Sequence, residues 1–202
     1  ELVGDGSLLQ QTALRLRGSA DMPIAHDPIV VTNEDYRLAV AEQLHEVGFE
    51  SPRLIVEPAG RNTAPALTLA CYVPLERDAD PVLLVMAADH LIRDTDAFHR
   101  AVVEGARQAA AGRIVLFGVV PQRPETGYGY IHVGSPLGDT PTAKALLGFA
   151  EKPDIATAHG YVLDGAHLWN SGMFMMRRSV WLRAIERHRP AISSVCRSAM
   201  AK

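Results

Sequence analysis

Short continuous apolar runs alternate along the chain with longer stretches whose apolar residues recur at helical spacing. Ser7 to Arg17 reads as a helix, with Ser7 as N-cap and Leu8, Leu9, Leu14 and Leu16 apolar. Pro28–Thr32 is a short strand, and Asn33 can cap a helix running to about Val47. Arg53–Glu57 is the next strand, followed after a loop by a helix from about Ala64 to Val73. Val82–Ala87 is the most apolar strand and is expected at the centre of the sheet. Asp94 or Thr95 can cap a helix to about Ala111, and Ile114–Val119 is another strand. This alternation predicts an α/β fold: a Rossmann-like, open, mostly parallel sheet with helices on both faces. After Val120, Gly, Pro and Tyr become frequent and helices sparse. Segments around Gly129–Val133, Leu146–Glu151 and Trp169–Met176 are expected as strands carrying ligand loops. Residues 1–202 read as a single domain whose second half elaborates a substrate lobe.

The bulk properties narrow the function classes. The 202 residues carry a net charge of −3, which gives no support to a basic nucleic-acid-binding face. No apolar run approaches the roughly 18 residues of a membrane span, and no secretory signal is present. The cysteines, Cys71 and Cys196, have no partners at metal-ligand spacing, and Cys71 lies in an apolar helical pattern as buried filler. A reducing, cytoplasmic setting follows.

In open α/β sheets, ligands sit beyond the carboxyl ends of the strands. Three places qualify here: after Glu57, after Ala88 and around Pro121. At the first, Gly60 permits a tight turn, Asn62 or Thr63 can cap, and Pro65 fits the first helical turn. Free amides beside Arg61 suit a phosphate or a nucleobase edge, and an ordinary capped turn with a surface arginine explains the same residues equally well. At the second, Asp89 follows small residues, where a lone carboxylate can bind magnesium together with substrate phosphates, or cap a turn. His90 is given no chemical role.

At the third, Gly127 and Gly129 flank Tyr128, so the backbone can approach a ligand while the ring covers one face; a plain hairpin is the alternative. Glu151 and Lys152 place an acid beside a base. Both can address one ligand only if the strand has ended, as Pro153 suggests. Asn170 and Ser171 lie between Trp169 and Phe174, a composition suited to a sugar or to an ordinary turn. No nucleophile elbow, dinucleotide fingerprint or Walker lysine loop is present.

In order, EPAGRNTAP, AADH, RPETGYGYI, FAEKP and WNSGMF resemble the mannose-1-phosphate guanylyltransferases, with close similarity to the bacterial long-form enzymes that make GDP-mannose. The resemblance runs from about Ser7 to the last helix. It implies a nucleotide-diphospho-sugar transferase fold with a sugar-binding lobe, and a Mg²⁺-dependent reaction in which mannose 1-phosphate attacks the α-phosphorus of GTP. It places Arg61, Asn62 and Thr63 around the nucleotide and Asp89 on the metal. Gly127 and Tyr128 would line the sugar pocket, Glu151 would bond mannose hydroxyls, Lys152 the sugar phosphate, and Asn170 the sugar. Asp89 and Lys152 are the catalytic candidates, and Arg123 is left without a task. The implied partners are GTP, mannose 1-phosphate and GDP-mannose, with a homodimer compatible and no nucleic acid or membrane. A thymidylyl- or uridylyltransferase acting on glucose 1-phosphate, or a non-catalytic sugar-nucleotide-binding subunit, are the rivals. The family's glycine-rich GGxGxRLWPLS loop and PKQF lysine would lie upstream of Glu1, and a second metal-binding aspartate after Lys202. These 202 residues alone are therefore expected to turn over poorly.

Overall fold

The computed structural model describes residues 6–17, 24, 27–74, 80–138 and 140–201, and the expectations attached to the two chain ends lie outside them. The first helix, α1 (Leu8–Leu14), opens with a reciprocal capping box. Ser7 Oγ accepts from the Gln10 amide at 3.1 Å, and Gln10 Oε1 accepts from the Ser7 amide at 2.8 Å. It closes earlier than the apolar pattern indicated. Arg15 N and Arg17 N donate to Thr12 O and Leu14 O, and these shorter-range bonds tighten the end into a turn.

Next come β1 (Ile29–Asn33), a 3₁₀ turn (Glu34–Tyr36) capped by Asn33, α2 (Arg37–Glu46), β2 (Arg53–Glu57) and α3 (Thr63–Tyr72). β1 and β2 pair in parallel, from Ile29 opposite Arg53 to Asn33 opposite Glu57. The chain continues through β3 (Val82–Val85), α4 (Thr95–Ala110), β4 (Val115–Val119), β5 (Gly129–Leu137) and β6 (Thr140–Glu151). It ends in α5 (Ile155–Asp164), β7 (His167–Arg177), α6 (Arg178–His188) and α7 (Pro190–Met200). Asp94, of the two residues offered, caps α4, accepting from Ala97 N at 2.8 Å.

The α/β class is as expected, but the place of β3 is not. β7, not β3, is the strand around which the five-stranded sheet is built. Phe174 pairs with both Val85 and Leu116, and Trp169 with both Tyr130 and Val119. A strand residue has only two sides, so β3 and β5 share one edge of β7 and β4 takes the other. β3, β4 and β5 therefore run in one direction and β7 in the opposite one. Apolar content misplaced β3 because a strand packed on both faces reads alike at any position in a sheet.

Period-2 alternation divides the core into two layers. Val82 and Leu84 of β3 join Met173 and Met175 of β7 against Phe98, Val102 and Ala109 of α4. Leu83 and Val85 join Phe174 and Met176 against Leu67 and Cys71 of α3 and Trp181 of α6. Each large apolar side chain fully buried there stabilises the fold by roughly 1.5–3 kcal/mol. Polar groups in the second layer are paired: Thr68 Oγ1 accepts from Trp181 Nε1 at 3.0 Å and donates to Ala64 O at 2.7 Å. Cys71 and Cys196 are free and buried. Burial, against the opposing pull of Arg178, pushes the Cys71 thiol up to about 12, as befits inert filler.

Candidate functional site

The loops after β2, β3 and β4 and the ends of β5, β6 and β7 carry the candidate residues. Glu57 ends β2, and the chain turns through residues 58–62 into α3. Asn62 occupies the N-cap of α3 with φ 67 and ψ 179 and makes no side-chain capping bond. Neither residue proposed as a cap closes this terminus, which leaves its first amides open. The backbone geometry explains why: Asn62 is held in a region that is essentially glycine's, and its amide group is not aimed back at the helix. Arg61, Asn62 and Thr63 are exposed, and the Arg61 guanidinium has no hydrogen bond or ion pair among the described residues.

Asp89 lies in the turn after β3. Its side chain is 83% exposed, and His90 Nε2 lies 3.9 Å from its Oδ1. Val85, the last residue of β3, pairs with Phe174, and the chain leaves the ladder before it turns at Asp89. Along this edge of β7, β3 ends at Phe174 and β5 begins at Trp169, so Asn170–Met173 have no ladder partner between them. The ladder is open along that edge, and Asp89 lies in the turn that follows the strand bordering it.

Within β7, Gly172 adopts φ 72, and Asn170 Oδ1 accepts from Gly172 N at 3.2 Å. Ser171 Oγ donates to Phe117 O at 2.6 Å and accepts from Met173 N at 3.2 Å. Ser171 is thereby engaged in holding the bend, while the Asn170 amide nitrogen stays free to donate.

Three motifs meet at the start of β5. Gly129 pairs with Glu151, and Tyr130 with Trp169. Lys152 N donates to Tyr128 O at 3.2 Å. A β-carbon on Gly129 would come within 2.7 Å of Phe149 Cζ and 2.9 Å of Glu151 Oε2, so glycine lets these two strands close up. Lys152 adopts φ 45, which ends the extended run and lets its side chain share a side with Glu151; Nζ lies 3.9 Å from Glu151 Oε1. The condition set by the sequence, that the strand end between them, is met. Gly127 N donates to Glu125 Oε1 at 3.2 Å, and the Tyr128 ring stands edge-on to Trp169 with centroids 5.3 Å apart.

The sequence reading passed over two supports of this loop. Arg123 pairs with Glu125 Oε2 at 3.3 Å and lies 5.7 Å over the Trp169 ring. Tyr130, fully buried, accepts the Glu125 amide on its hydroxyl at 2.9 Å. Their signal was the period-2 spacing of Tyr128 and Tyr130 opposite an aromatic residue on another strand, visible only once the pairing is known.

Gly127, Tyr128, Glu151 and Lys152 are thus brought together beside Trp169, with Asn170 next along β7. No hydrogen bond or ion pair joins Asp89 to them among the described residues. No hydrogen bond or ion pair joins Arg61, Asn62 or Thr63 to that group among the described residues. Across the described residues, Asn62 and Lys152 are the non-glycine residues with positive φ. Backbone strain concentrates where a site over-determines its residues, and here it falls in the two separate candidate regions.

The sequence profile of the nucleotidyl transferase family matches residues 2–202. The chain belongs to this family. It is 46% identical over 198 residues to the xanthan biosynthesis protein XanB of Xanthomonas campestris pv. campestris, covering 98% of the chain and 41% of that protein. Identity is 44% over 204 residues to the mannose-1-phosphate guanylyltransferase of Escherichia coli K12, with 99% and 42% covered. The crystal structure of mannose-6-phosphate isomerase from Helicobacter pylori superposes with a TM-score of 0.83 at 28% identity, covering 98% of the chain and 73% of that one. The chain spans about two fifths of the length of the curated relatives it matches.

The family uses divalent metal, and the donors suit it. Among the described residues no three His, Cys, Asp or Glu side chains form a metal cage. The exposed Asp89 carboxylate offers a single hard oxygen donor, which fits a magnesium ion held chiefly by substrate phosphates. Among the described residues no helix is long and apolar enough to cross a membrane.

Proposed function

We propose that this nucleotidyl transferase joins GTP and mannose 1-phosphate into GDP-mannose and pyrophosphate, acting in the cytoplasm. The observation that supports the reading is the meeting of Tyr128, Glu151 and Lys152, from two separate motifs, beside Trp169 of a third, with Asn170 next along β7. Relatives named for mannose-1-phosphate guanylyltransfer support the choice of base and sugar.

In this reaction a phosphate oxygen of mannose 1-phosphate bonds to the α-phosphorus of GTP. The bond from that phosphorus to the oxygen bridging to the β-phosphate breaks, and pyrophosphate leaves with the electron pair. No protein nucleophile is needed; positioning and charge neutralisation supply the rate. Asp89 would hold Mg²⁺, which would supply charge neutralisation on the phosphates when bound. Arg61, Asn62 and Thr63 offer a cation, a free side-chain amide and open helix-terminal amides to the nucleotide. Lys152 faces the sugar phosphate, Glu151 accepts mannose hydroxyls, and Asn170 donates to the sugar. Tyr128, braced on Trp169, and Gly127 close the pocket over the ring.

Thermal-shift titration of the protein with GDP-mannose, UDP-glucose and dTDP-glucose tests the reading, because a ligand stabilises according to its affinity for the folded state. The largest shift is expected with GDP-mannose. A larger one with either rival would move the assignment to that base and sugar.

A further inference from the structure

Arg15 is a buried cation outside the site just described. It is 8% exposed, at the end of α1. Its Nη2 donates to the backbone carbonyl of His90 at 2.7 Å. Its own carbonyl lies 2.6 Å from His99 Nε2 on α4, and its guanidinium carbon sits 5.7 Å from the centre of the Phe98 ring. Its Nη1 is buried with no partner among the described residues, as is Thr12 Oγ1 one turn earlier. Burial also lowers its pKa, which reports the same desolvation.

A guanidinium that uses so little of its donor capacity is an expensive way to fill a core. Burying a charge is costly unless it is well hydrogen-bonded, and an unpaired buried donor adds to that cost. An apolar side chain would pack beside Phe98 and Leu16 without either penalty. What the guanidinium supplies that Leu or Met could not is a bond to the peptide immediately after Asp89. Among the described residues, Arg15 is the side chain that hydrogen-bonds the backbone of segment 86–93. Asp89 itself is exposed and lightly held, so the turn that carries it needs its orientation set from behind.

We infer that Arg15 is a positioning residue for the reaction, a clamp that fixes the turn carrying Asp89 through the His90 carbonyl. The inference rests on the proposed metal role of Asp89. It assigns Arg15 no contact with substrate. The clamp joins α1, the turn after β3 and the first turns of α4, so the carboxylate is held in place before any ligand arrives.

The test compares the protein with its Arg15→Met and Arg15→Lys variants by hydrogen–deuterium exchange of the 86–93 peptide and by the Mg²⁺ concentration giving half-maximal turnover. Arg15→Met removes the donor while keeping apolar bulk. It is expected to speed exchange of that peptide about tenfold, leave the β7 peptides unchanged, and raise the Mg²⁺ half-saturation about tenfold with little change in KM for mannose 1-phosphate. Arg15→Lys, which keeps a donor and the charge, should recover part of both effects, and it carries the test if the Met variant fails to fold. Ile185→Ala, buried on α6 away from that segment's cluster, serves as a control for general destabilisation and should not single out the 86–93 peptide. Unchanged exchange at 86–93 in a folded variant overturns the clamp. Faster exchange with unchanged metal dependence also overturns it, if Asp89→Asn does shift that dependence. If Asp89→Asn leaves metal dependence unchanged too, the metal reading of Asp89 fails, and the exchange result alone decides whether the clamp stands.

Discussion

Lys152 donates its backbone amide to the carbonyl of Tyr128 at 3.2 Å, locking the end of β6 to the turn that opens β5. With φ at 45, Lys152 has left the strand, so its ammonium and the Glu151 carboxylate can address one ligand. Lys152→Met should therefore raise KM for mannose 1-phosphate at least tenfold while changing KM for GTP much less. Steady-state kinetics with each substrate varied in turn checks this, and equal effects on both would assign Lys152 to the fold instead.

Asn62 holds φ 67 and ψ 179 without a capping bond, a strain of about 1–3 kcal/mol. Asn62→Gly relieves the strain and gives back part of the gain as chain entropy in the unfolded state. The variant should be more stable by about 1 kcal/mol, a rise of roughly 2–4 °C in Tm, yet weaker for GTP. Paired melting and GTP-dependence curves read both effects. A lower Tm would mean that the Asn62 side chain holds the turn rather than serving the ligand.

Asp89 is 83% exposed, so Asp89→Asn should leave the melting temperature within about 1 °C of the parent. Turnover should fall by at least about 100-fold, because metal-held charge neutralisation is worth several kcal/mol in the transition state. Turnover near the parent value would remove Asp89 from the mechanism.

Met175 lies 2% exposed between α4 and the sheet. Met175→Ala leaves a cavity in a layer with little room to collapse and should cost about 2–5 kcal/mol, read by urea denaturation. A loss below about 1 kcal/mol would mean that α4 moves in to fill the space.

The Asp80 carboxylate accepts from Ser179 N at 2.7 Å and Ser179 Oγ at 2.9 Å, tying the start of β3 to α6. The Ser179 amide, helped by its hydroxyl and by Arg177 and Arg183 against some burial, holds the carboxyl below its ordinary value. A folded-state pKa below the unfolded one stabilises above the unfolded value of about 3.9 and loses that contribution as pH falls through the folded value. Asp80→Ala should thus cost on the order of 1 kcal/mol at pH 7, discounted for solvent screening. The difference from the parent should shrink below about pH 4, and melting curves across pH 2–8 test this. A difference independent of pH would assign the loss to packing.

Local signals foretold much of the fold, because they act over a few residues. Ser7 and Asp94 cap the helices they precede, β2 and β4 fall within a residue of their apolar runs, and the class follows from the alternation. Gly127, Tyr128, Glu151, Lys152 and Asn170 were candidates from composition and resemblance, and the structure adds that Tyr128, Glu151 and Lys152 lie together. Helix α5 was missed: its apolar residues follow a Gly- and Pro-rich stretch, although Asp154 caps it, accepting from Thr157 N at 2.7 Å.

What tertiary structure decided was neighbourhood. Apolar content cannot rank strands that are packed on both faces, so the place of β7 between β3 and β5 on one edge and β4 on the other came only from the pairing. The opening at Asn170–Met173 exists because two strands share one edge of a third without meeting. Arg15 reads in sequence as one more basic residue on a helix. Its bond to His90 spans 75 residues of chain, and a contact at that separation leaves no trace in local pattern because only the packed core brings its ends together.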